Sequence, residues 1–283
     1  MSSDEKSLRI FMTGATSGLG KEAALTLVGE GAKLWFLVRT KELSEALTAE
    51  FKQRYPDSHG QLIPVEGDLA DLHSVKAACD AITHQTDSLD VLIYNAGIWN
   101  FSFRETTNGL EETWQVNVVS HVLINNLLMP TLKQSSEPKI LLTASGLHQG
   151  KIYFNDPEFR SSFSGFKSYR QSKLAVILLT RRWAGTMAGD GVSVVCQHPG
   201  LVDTRLGRDA GWFARWFFKT FGRTPQKGAE TLIHLAQSTS ALLEAGAFYK
   251  DKKVHKTTAY SYRQDEADKL EKNIQEVLAV LGF

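Results

Sequence analysis

The sequence has only two cysteines among its 283 residues, Cys79 and Cys196. They are too few and too far apart for a disulfide framework or a cysteine-based metal site, so we predict no metal. An excess of charge is also missing, because 32 Lys and Arg residues are set against 31 Asp and Glu residues. This balance gives no reason to expect a nucleic acid or a strongly charged partner.

Long apolar runs are absent as well. No uncharged apolar stretch reaches the roughly 18 residues that a membrane-spanning helix needs, and the first residues, MSSDEK, are polar. We therefore expect a soluble, cytoplasmic protein without a transmembrane segment. Repeats, linkers and low-complexity tracts are missing too, so a single domain over residues 1–283 is predicted.

A glycine-rich loop follows the first predicted strand, at 8–13, and precedes a helical pattern that begins at Lys21. In a strand–loop–helix unit, glycines let the backbone approach a pyrophosphate, and the helix N-terminus offers free N–H groups. An ordinary turn is the alternative. We predict that the loop binds a dinucleotide phosphate through Gly14, Thr16, Ser17, Gly18, Leu19 and Gly20.

The end of the second predicted strand, at 33–38, indicates which dinucleotide is bound. NAD sites usually carry Asp or Glu here to hold the ribose 2′-hydroxyl. Val38 occupies that place and is followed by Arg39 and Thr40. Arginine can bind a 2′-phosphate through charge-assisted hydrogen bonds, so the pattern favours NADP(H) over a merely solvated arginine.

Strand and helix patterns alternate along the rest of the chain, with strands predicted at 61–65, 90–94, 139–144, 192–197 and 247–249. Such alternation predicts an α/β fold with one doubly wound parallel sheet. After the third strand, Asp68 is expected either to meet the adenine or to cap the next helix. The fourth strand ends at the small residues Asn95-Ala96-Gly97, which permit a close approach of a ligand.

Tyr169 and Lys173 are four residues apart at the start of an apolar helical pattern. On one helix face their Cβ atoms would be roughly 6 Å apart, so the ammonium should lower the pKa of the phenol. A phenol tuned in this way can serve as general acid or base for an alcohol/carbonyl pair. The spacing alone is common on surface helices, and other motifs must support it.

Five motifs together resemble the classical short-chain dehydrogenase/reductase family. In order, within residues 8–250, they are Thr13-Gly14-x-x-x-Gly18-x-Gly20, Asn95-Ala96-Gly97, Ser145, Tyr169-x-x-x-Lys173 and Pro199-Gly200. The segments 117–121 and 145–148 look most like the subgroup of retinol dehydrogenases and carbonyl reductases. The resemblance implies a single Rossmann-type domain with a seven-stranded, mostly parallel sheet and helices on both faces.

The resemblance also implies a catalytic tetrad. Tyr169 would be the acid/base, and Lys173 would bind the nicotinamide ribose and lower the pKa of Tyr169. Ser145 would hold the substrate oxygen, and Asn117 would fix a water for proton relay. The implied cofactor contacts extend to Asp68, Leu69, Asn95, Ala96, Gly97, Pro199, Gly200, Val202 and Thr204.

Aromatic residues predict a pocket for a bulky apolar substrate. Trp99 and His148 are expected to line it, although Trp99 could pack in the core and His148 could bond to backbone or solvent. A segment of about 205–224 would be a lid, with Trp212, Phe213 and Trp216 on one helical face. A peripheral membrane contact through 211–223 and ordinary core or subunit packing are the alternatives for this segment.

The sequence thus predicts an NADPH-dependent carbonyl reductase that transfers hydride to a bulky apolar ketone or aldehyde. An NADP-dependent dehydrogenase for retinol- or steroid-like alcohols would use the same chemistry in reverse. Less favoured alternatives are a light-dependent protochlorophyllide reductase and a non-catalytic protein that senses NADP(H). Family members often form homodimers or homotetramers, so a homo-oligomer is a further expectation.

Overall fold

A computed structural model describes residues 7–200 and 223–283 and contains one sheet. The strands run in the spatial order β3-β2-β1-β4-β5-β6-β7-β8. Their bounds are β1 (Arg9–Thr13), β2 (Lys33–Val38), β3 (Gln61–Glu66), β4 (Val91–Tyr94), β5 (Lys139–Thr143), β6 (Ser193–His198), β7 (Phe248–Lys250) and β8 (Lys253–His255).

The predicted count of seven strands is one too low, because β8 pairs antiparallel with β7 at the edge of the otherwise parallel sheet. The two residues between them, Asp251 and Lys252, have φ angles of 52° and 63°. Positive φ at both central residues is the backbone of a tight hairpin turn. Neither residue is a glycine, so the sequence carries no strong hairpin signal at this place.

Helices cover both faces of the sheet, as predicted for a doubly wound fold. They are α1 (Gly18–Gly29), α2 (Lys41–Arg54), α3 (Leu72–Gln85), α4 (Glu112–Trp114), α5 (Ser120–Leu132), α6 (Gly165–Thr186), α7 (Pro225–Gln237) and α8 (Gln264–Val280). A π-helical turn, Gln115–Val119, joins α4 to α5. π-Helical turns are rare in proteins, and those that occur are often found at functional sites.

Alternating side chains of the strands build two cores. Phe11 and Leu92 point to one face and join the core formed with α3, α5, α6 and α8, whereas Ile10 and Ile93 join the core with α1, α2 and α7. All four side chains are fully buried. Burial on both faces explains why these strands read as continuous apolar runs.

The strand order reverses at β1, whose neighbours are β2 and β4. In open α/β sheets, ligands bind outside the carboxyl ends of the strands at such a switch point. The loop that begins at Gly14 and the turn that begins at Asn95 follow β1 and β4 and therefore meet there. Ser145 follows the next strand, β5, at the same edge.

Both cysteines are buried free thiols, and burial raises the pKa of each to about 12. Buried thiols of this kind are not reactive, so both cysteines act as small core residues. Within 7–200 and 223–283, no three His, Cys, Asp or Glu side chains are arranged to hold a metal ion. In the same residues, no helix is long and apolar enough to cross a membrane.

Candidate active site

The glycine loop packs too closely for any larger residue. A Cβ atom on Gly20 would lie 2.0 Å from the Gly14 carbonyl oxygen and 2.3 Å from Asn95 Nδ2. Gly14 and Gly18 have φ angles of 72° and 55°, the left-handed region that glycine adopts readily. The three glycines are therefore required by the path of the loop itself.

The first turn of α1 is open toward the switch point. Ser17 is the N-cap residue, but its side chain makes no capping hydrogen bond. The N–H groups at this helix end and the positive end of the helix dipole therefore suit a phosphate group. Thr16 is half-buried and Ser17 exposed beside this end, whereas Leu19 is buried below it. These residues fit the pyrophosphate of a dinucleotide.

A chain of side-chain hydrogen bonds crosses the carboxyl ends of four strands. Asn95 Nδ2 donates to the Gly14 carbonyl over 3.1 Å, and Thr143 Oγ1 donates to Asn95 Oδ1 over 3.2 Å. Gln197 Nε2 then donates to Thr143 Oγ1 over 3.1 Å. We call this set, Gly14–Asn95–Thr143–Gln197, the cross-strand chain. It holds the glycine loop, the Asn95 turn and the ends of β5 and β6 in one arrangement.

The main chain of the Asn95 turn is fixed separately. The N–H groups of Asn95 and Ala96 both donate to Thr13 Oγ1 over 3.1 Å. Thr13 is fully buried at the end of β1. Its hydroxyl therefore joins the predicted cofactor residues of β1 and β4, a role that the sequence pattern did not identify.

Lys173 and Asn117 meet at Gly97. A Cβ atom on Gly97 would lie 3.1 Å from Lys173 Nζ and 3.2 Å from Asn117 Oδ1. Lys173 is buried and its ammonium donates to the Thr143 carbonyl over 3.0 Å. The structure thus brings three of the predicted site residues together, and Gly97 leaves the room that they need.

The Asn117 side chain lies in the π-helical turn and is fully buried. It donates to the Ile98 carbonyl and to Ser172 Oγ, and it accepts a bond from the Ile98 N–H over 2.8 Å. These bonds fasten the segment after Gly97 to α6. The water-binding role predicted for Asn117 stays a prediction.

The predicted lowering of the Tyr169 pKa is wrong. Burial raises the pKa of Tyr169 to about 12, and the hydrogen bond with Ser145 only partly opposes this shift. Burial also lowers the pKa of Lys173 to about 8. Lys173 Nζ lies 5.8 Å from the centre of the phenol ring and bonds elsewhere, so desolvation outweighs its attraction for a phenolate.

Trp99 stacks on the phenol of Tyr169. The centres of the Trp99 and Tyr169 rings are 4.6 Å apart, with an angle of 11° between the planes. Phe101 also stacks on Trp99, with ring centres 5.1 Å apart. Phe101 and Phe166 are 42% and 46% exposed, so these rings form an apolar rim that opens to solvent. This rim agrees with the prediction that Trp99 lines a substrate pocket, although the contact itself stays a prediction.

His148 does not project into solvent. It is buried, and its Nδ1 lies 2.8 Å from the Ser145 carbonyl oxygen. Its ring packs against Phe248 at 5.5 Å. The backbone-bonded alternative therefore describes its Nδ1, and the predicted substrate contact of His148 stays a prediction.

The residues predicted for the adenine side follow β2 and β3, which lie on the opposite side of β1 from β4 and β5. Arg39 and Thr40 are exposed at the end of β2, where a 2′-phosphate could reach them. Asp68 Oδ1 accepts a bond from the Ala70 N–H, and the helix cap is instead Asp71, which bonds the N–H groups of His73 and Ser74. Leu69 is buried beside Asp68.

Of the predicted cofactor loop after β6, the structure describes only the start, Pro199-Gly200. Gly200 has a φ of 84°, and a Cβ atom there would lie 2.9 Å from Arg223 Nε, so the Pro199-Gly200 turn also needs its glycine. Arg223 forms an ion pair with Asp251. Five predicted residues and most of the lid segment 205–224 lie outside the described residues: Val202, Thr204, Trp212, Phe213 and Trp216.

His198, which precedes the Pro199-Gly200 turn, was missed as a site residue. Its Nδ1 accepts a hydrogen bond from the Gly146 N–H over 3.2 Å. Its position before a predicted cofactor turn was the available signal. The partner lies 52 positions earlier in the chain, so no local pattern could reveal the bond.

Comparison with known proteins indicates the family to which the chain is similar. The family described as short chain dehydrogenase matches residues 9–211. Mouse (Mus musculus) retinol dehydrogenase 14 is 35% identical over 276 residues, which cover 92% of this chain and 83% of the mouse protein. Human (Homo sapiens) retinol dehydrogenase 11 is 31% identical, with 86% of this chain and 76% of that protein covered.

Solved structures share the fold. An uncharacterised protein from Mycobacterium paratuberculosis has a TM-score of 0.78 and 26% identity, with 96% of this chain and 94% of that chain covered. A short chain dehydrogenase from Burkholderia cenocepacia, solved in complex with NADP, has a TM-score of 0.68 and 22% identity, with 85% and 94% covered. The second likeness concerns the fold alone.

His121 is a buried titratable residue one helical turn beyond Asn117. It is 3% exposed, stacks on Tyr94 at 5.1 Å, and neither ring nitrogen makes a hydrogen bond of good geometry within the described chain. Burial lowers its pKa from 6.5 to about 3, and the charge of Lys173 acts in the same direction. The ring is therefore neutral in the folded protein.

This residue makes stability depend on pH. Below about pH 6.5 an unfolded chain binds a proton on His121 that the folded chain excludes, so the free energy of unfolding falls as pH falls. The loss approaches about 1.4 kcal/mol per pH unit for this group. His121→Phe keeps a ring on Tyr94 without titrating, so thermal unfolding should show a flatter pH dependence. The exposed control His59→Phe should keep the wild-type slope, and parallel curves for His121→Phe and wild type would contradict this account.

Proposed function

Because this chain belongs to the short-chain dehydrogenase family, we propose that it is an NADPH-dependent reductase of bulky apolar ketones or aldehydes. The family assignment carries the general activity, an oxidoreductase acting on alcohol and carbonyl groups. The carbonyl direction, NADP(H) and the substrate class are the proposal. The observation that supports it most is a neutral phenol, Tyr169, beside Ser145 and under an apolar rim.

Tyr169 is the proposed proton donor. With a pKa raised to about 12 by burial, its hydroxyl is protonated at neutral pH and can act as a general acid toward a developing alkoxide. Ser145 bonds to the same hydroxyl, so its position is suited to hold the substrate oxygen at Tyr169. When bound, NADPH supplies the hydride that the carbonyl carbon receives.

Lys173 is proposed to bind the nicotinamide ribose. Its ammonium is buried beside Gly97 and donates to the Thr143 carbonyl, and within the described residues its other two N–H donors have no hydrogen-bond partner. A bound ribose hydroxyl would accept a hydrogen bond from one of them. Gly14, Gly18 and Gly20 are proposed to hold the pyrophosphate.

The apolar rim supports a bulky substrate. Trp99 and Phe101 are stacked in series from the Tyr169 ring outward, and Phe166 packs on Trp99 at 6.1 Å. Planar aromatic faces of this kind bury apolar area and offer few polar partners. The segment of about 205–224, most of which lies outside the described residues, is proposed from its sequence alone to act as a lid over this pocket.

A second candidate is the oxidation of apolar alcohols with NADP⁺. It is favoured by the likeness to proteins named retinol dehydrogenases. The residues and the cofactor would be the same, and the direction would follow the ratio of reduced to oxidised cofactor. A homo-oligomer remains a proposal from the family resemblance.

The first test measures NADPH consumption with aldehydes and ketones of increasing apolar size, including retinaldehyde. We expect turnover to rise with apolar size, and Tyr169→Phe to lower kcat by about 10²- to 10⁴-fold because the proton donor is lost. NADPH binding by the variant, followed by nicotinamide fluorescence, should remain close to wild type. Tight NADPH binding without turnover of any carbonyl would favour the non-catalytic alternative, and near wild-type turnover of Tyr169→Phe would refute the mechanism.

The second test addresses NADP(H) selectivity. Arg39→Ala should raise the KM for NADPH about 10- to 100-fold, the usual cost of removing a charge-assisted hydrogen bond, and should leave the KM for NADH unchanged. Lys33→Ala is the matched control, because Lys33 is an exposed cation at the opposite end of the same strand. Equal use of NADH and NADPH by the wild-type protein would overturn the assignment.

A further inference from the structure

Two histidines bind the same peptide group beside the candidate active site. The Ser145 carbonyl oxygen bonds to His148 Nδ1 at 2.8 Å, and the Gly146 N–H donates to His198 Nδ1 over 3.2 Å. This carbonyl and this N–H belong to one planar unit and point in opposite directions. The two bonds together therefore fix the orientation of the peptide plane that carries Ser145.

The hydrogen bonds determine whether Nδ1 of each ring carries a proton. A carbonyl oxygen only accepts, so His148 must carry its proton on Nδ1. A backbone N–H only donates, so His198 Nδ1 must be bare and its ring neutral, with the proton on Nε2. The two rings therefore differ at Nδ1, which carries a proton in His148 and none in His198.

The surroundings of both rings favour the neutral state. Burial, followed by the charges of Lys250 and Arg223, lowers the pKa of His198 to about 4, and Asp251 opposes this only weakly. Burial also lowers the pKa of His148. Both rings thus stay neutral at the pH of a cell.

Packing holds the two rings in place. Phe248, buried at the start of β7, has its ring centre 5.5 Å from that of His148 and 6.2 Å from that of His198. On the other side, a Cβ atom on Gly146 would lie 3.1 Å from His198 Nε2. A side chain at position 146 would therefore press on the His198 ring and shift it by a few tenths of an ångström.

The peptide plane in turn directs the Ser145 hydroxyl. Ser145 Oγ accepts a hydrogen bond from the Leu147 N–H over 3.1 Å, so its own proton is free to point to another oxygen. Ser145 lies close enough to Tyr169 for its side chain to oppose the rise in the pKa of the phenol. If this peptide lost its two partners, the backbone at Ser145 could shift, and its hydroxyl would move with it.

We propose that His148 and His198 are positioning residues, a histidine clamp that orients Ser145 toward Tyr169 and the substrate oxygen. The inference rests on the proposed function, since it assumes that Ser145 acts in the reaction. It assigns neither histidine a contact with substrate. Keeping two buried histidines neutral at low pH costs free energy of folding. A role in holding the peptide of Ser145 would account for both of them.

Two variants of His198 separate the clamp from simple packing. His198→Asn loses the ring but can place its Oδ1 where Nδ1 lies, whereas His198→Phe keeps a ring on Phe248 and offers no acceptor. We expect His198→Asn to keep most of the wild-type kcat. His198→Phe should lower kcat about 10- to 100-fold, with the KM for NADPH unchanged, because a small misplacement of a reacting group is costly. A higher kcat for His198→Phe than for His198→Asn would overturn the proposal, and His59→Asn is the control at an exposed histidine.

A double-mutant cycle tests whether His198 acts through Ser145. In a Ser145→Ala background, His198→Phe should cause no further loss of single-turnover rate, because the group that it positions is absent. An equal loss in both backgrounds would refute the clamp. Thermal unfolding of each variant shows whether a lower rate reflects unfolded protein.

A measurement independent of activity separates this proposal from the proposed function. Nitrogen-15 NMR of histidine-labelled wild-type protein at neutral pH should show His148 with its proton on Nδ1 and His198 with its proton on Nε2. Assignment uses His148→Asn and His198→Asn. If these tautomers are found but no carbonyl is reduced, the proposed function fails while the clamp geometry stands. If either tautomer is reversed, or His198 is protonated, the clamp fails whatever the activity.

Discussion

The cross-strand chain of Gly14, Asn95, Thr143 and Gln197 is the constraint on which the rest of the site depends. Parallel strands alone would align their backbones and leave the loops beyond them independent. The chain links these loops by side-chain bonds of 3.1 to 3.2 Å, from the glycine loop after β1 to the end of β6. Since Thr143 also provides the carbonyl for Lys173, the glycine loop and helix α6 share one anchor.

Burial is the second organising effect, and it sets the protonation of the site. It keeps Tyr169 protonated, lowers the pKa of Lys173, and keeps His121 and His198 neutral. Each shift has the sign that desolvation requires for an acid or a base. A site built in this way holds a proton on the phenol, which suits an enzyme that must donate one.

Much of the fold and the site could be predicted from the sequence because the relevant constraints are local. The glycines of the loop are required by steric contacts of the loop, and the strands buried on both faces read as apolar runs. The direction of the Tyr169 pKa could not be predicted, because it depends on the solvent exclusion created by distant segments such as Trp99. The hairpin at Asp251 and the bond from Gly146 to His198 were missed for a similar reason: neither follows from a local residue pattern.

The most direct test of the account follows the hydride itself. NADPH that carries deuterium at the nicotinamide C4 position transferred by the enzyme should yield an alcohol with deuterium on its carbinol carbon, detected by mass spectrometry. Using both C4-labelled forms of NADPH in parallel covers either face of the ring. We predict that one form labels the product from a bulky apolar aldehyde and the other does not. An alcohol product without label from either form, or no alcohol at all across the apolar carbonyls, would contradict the account.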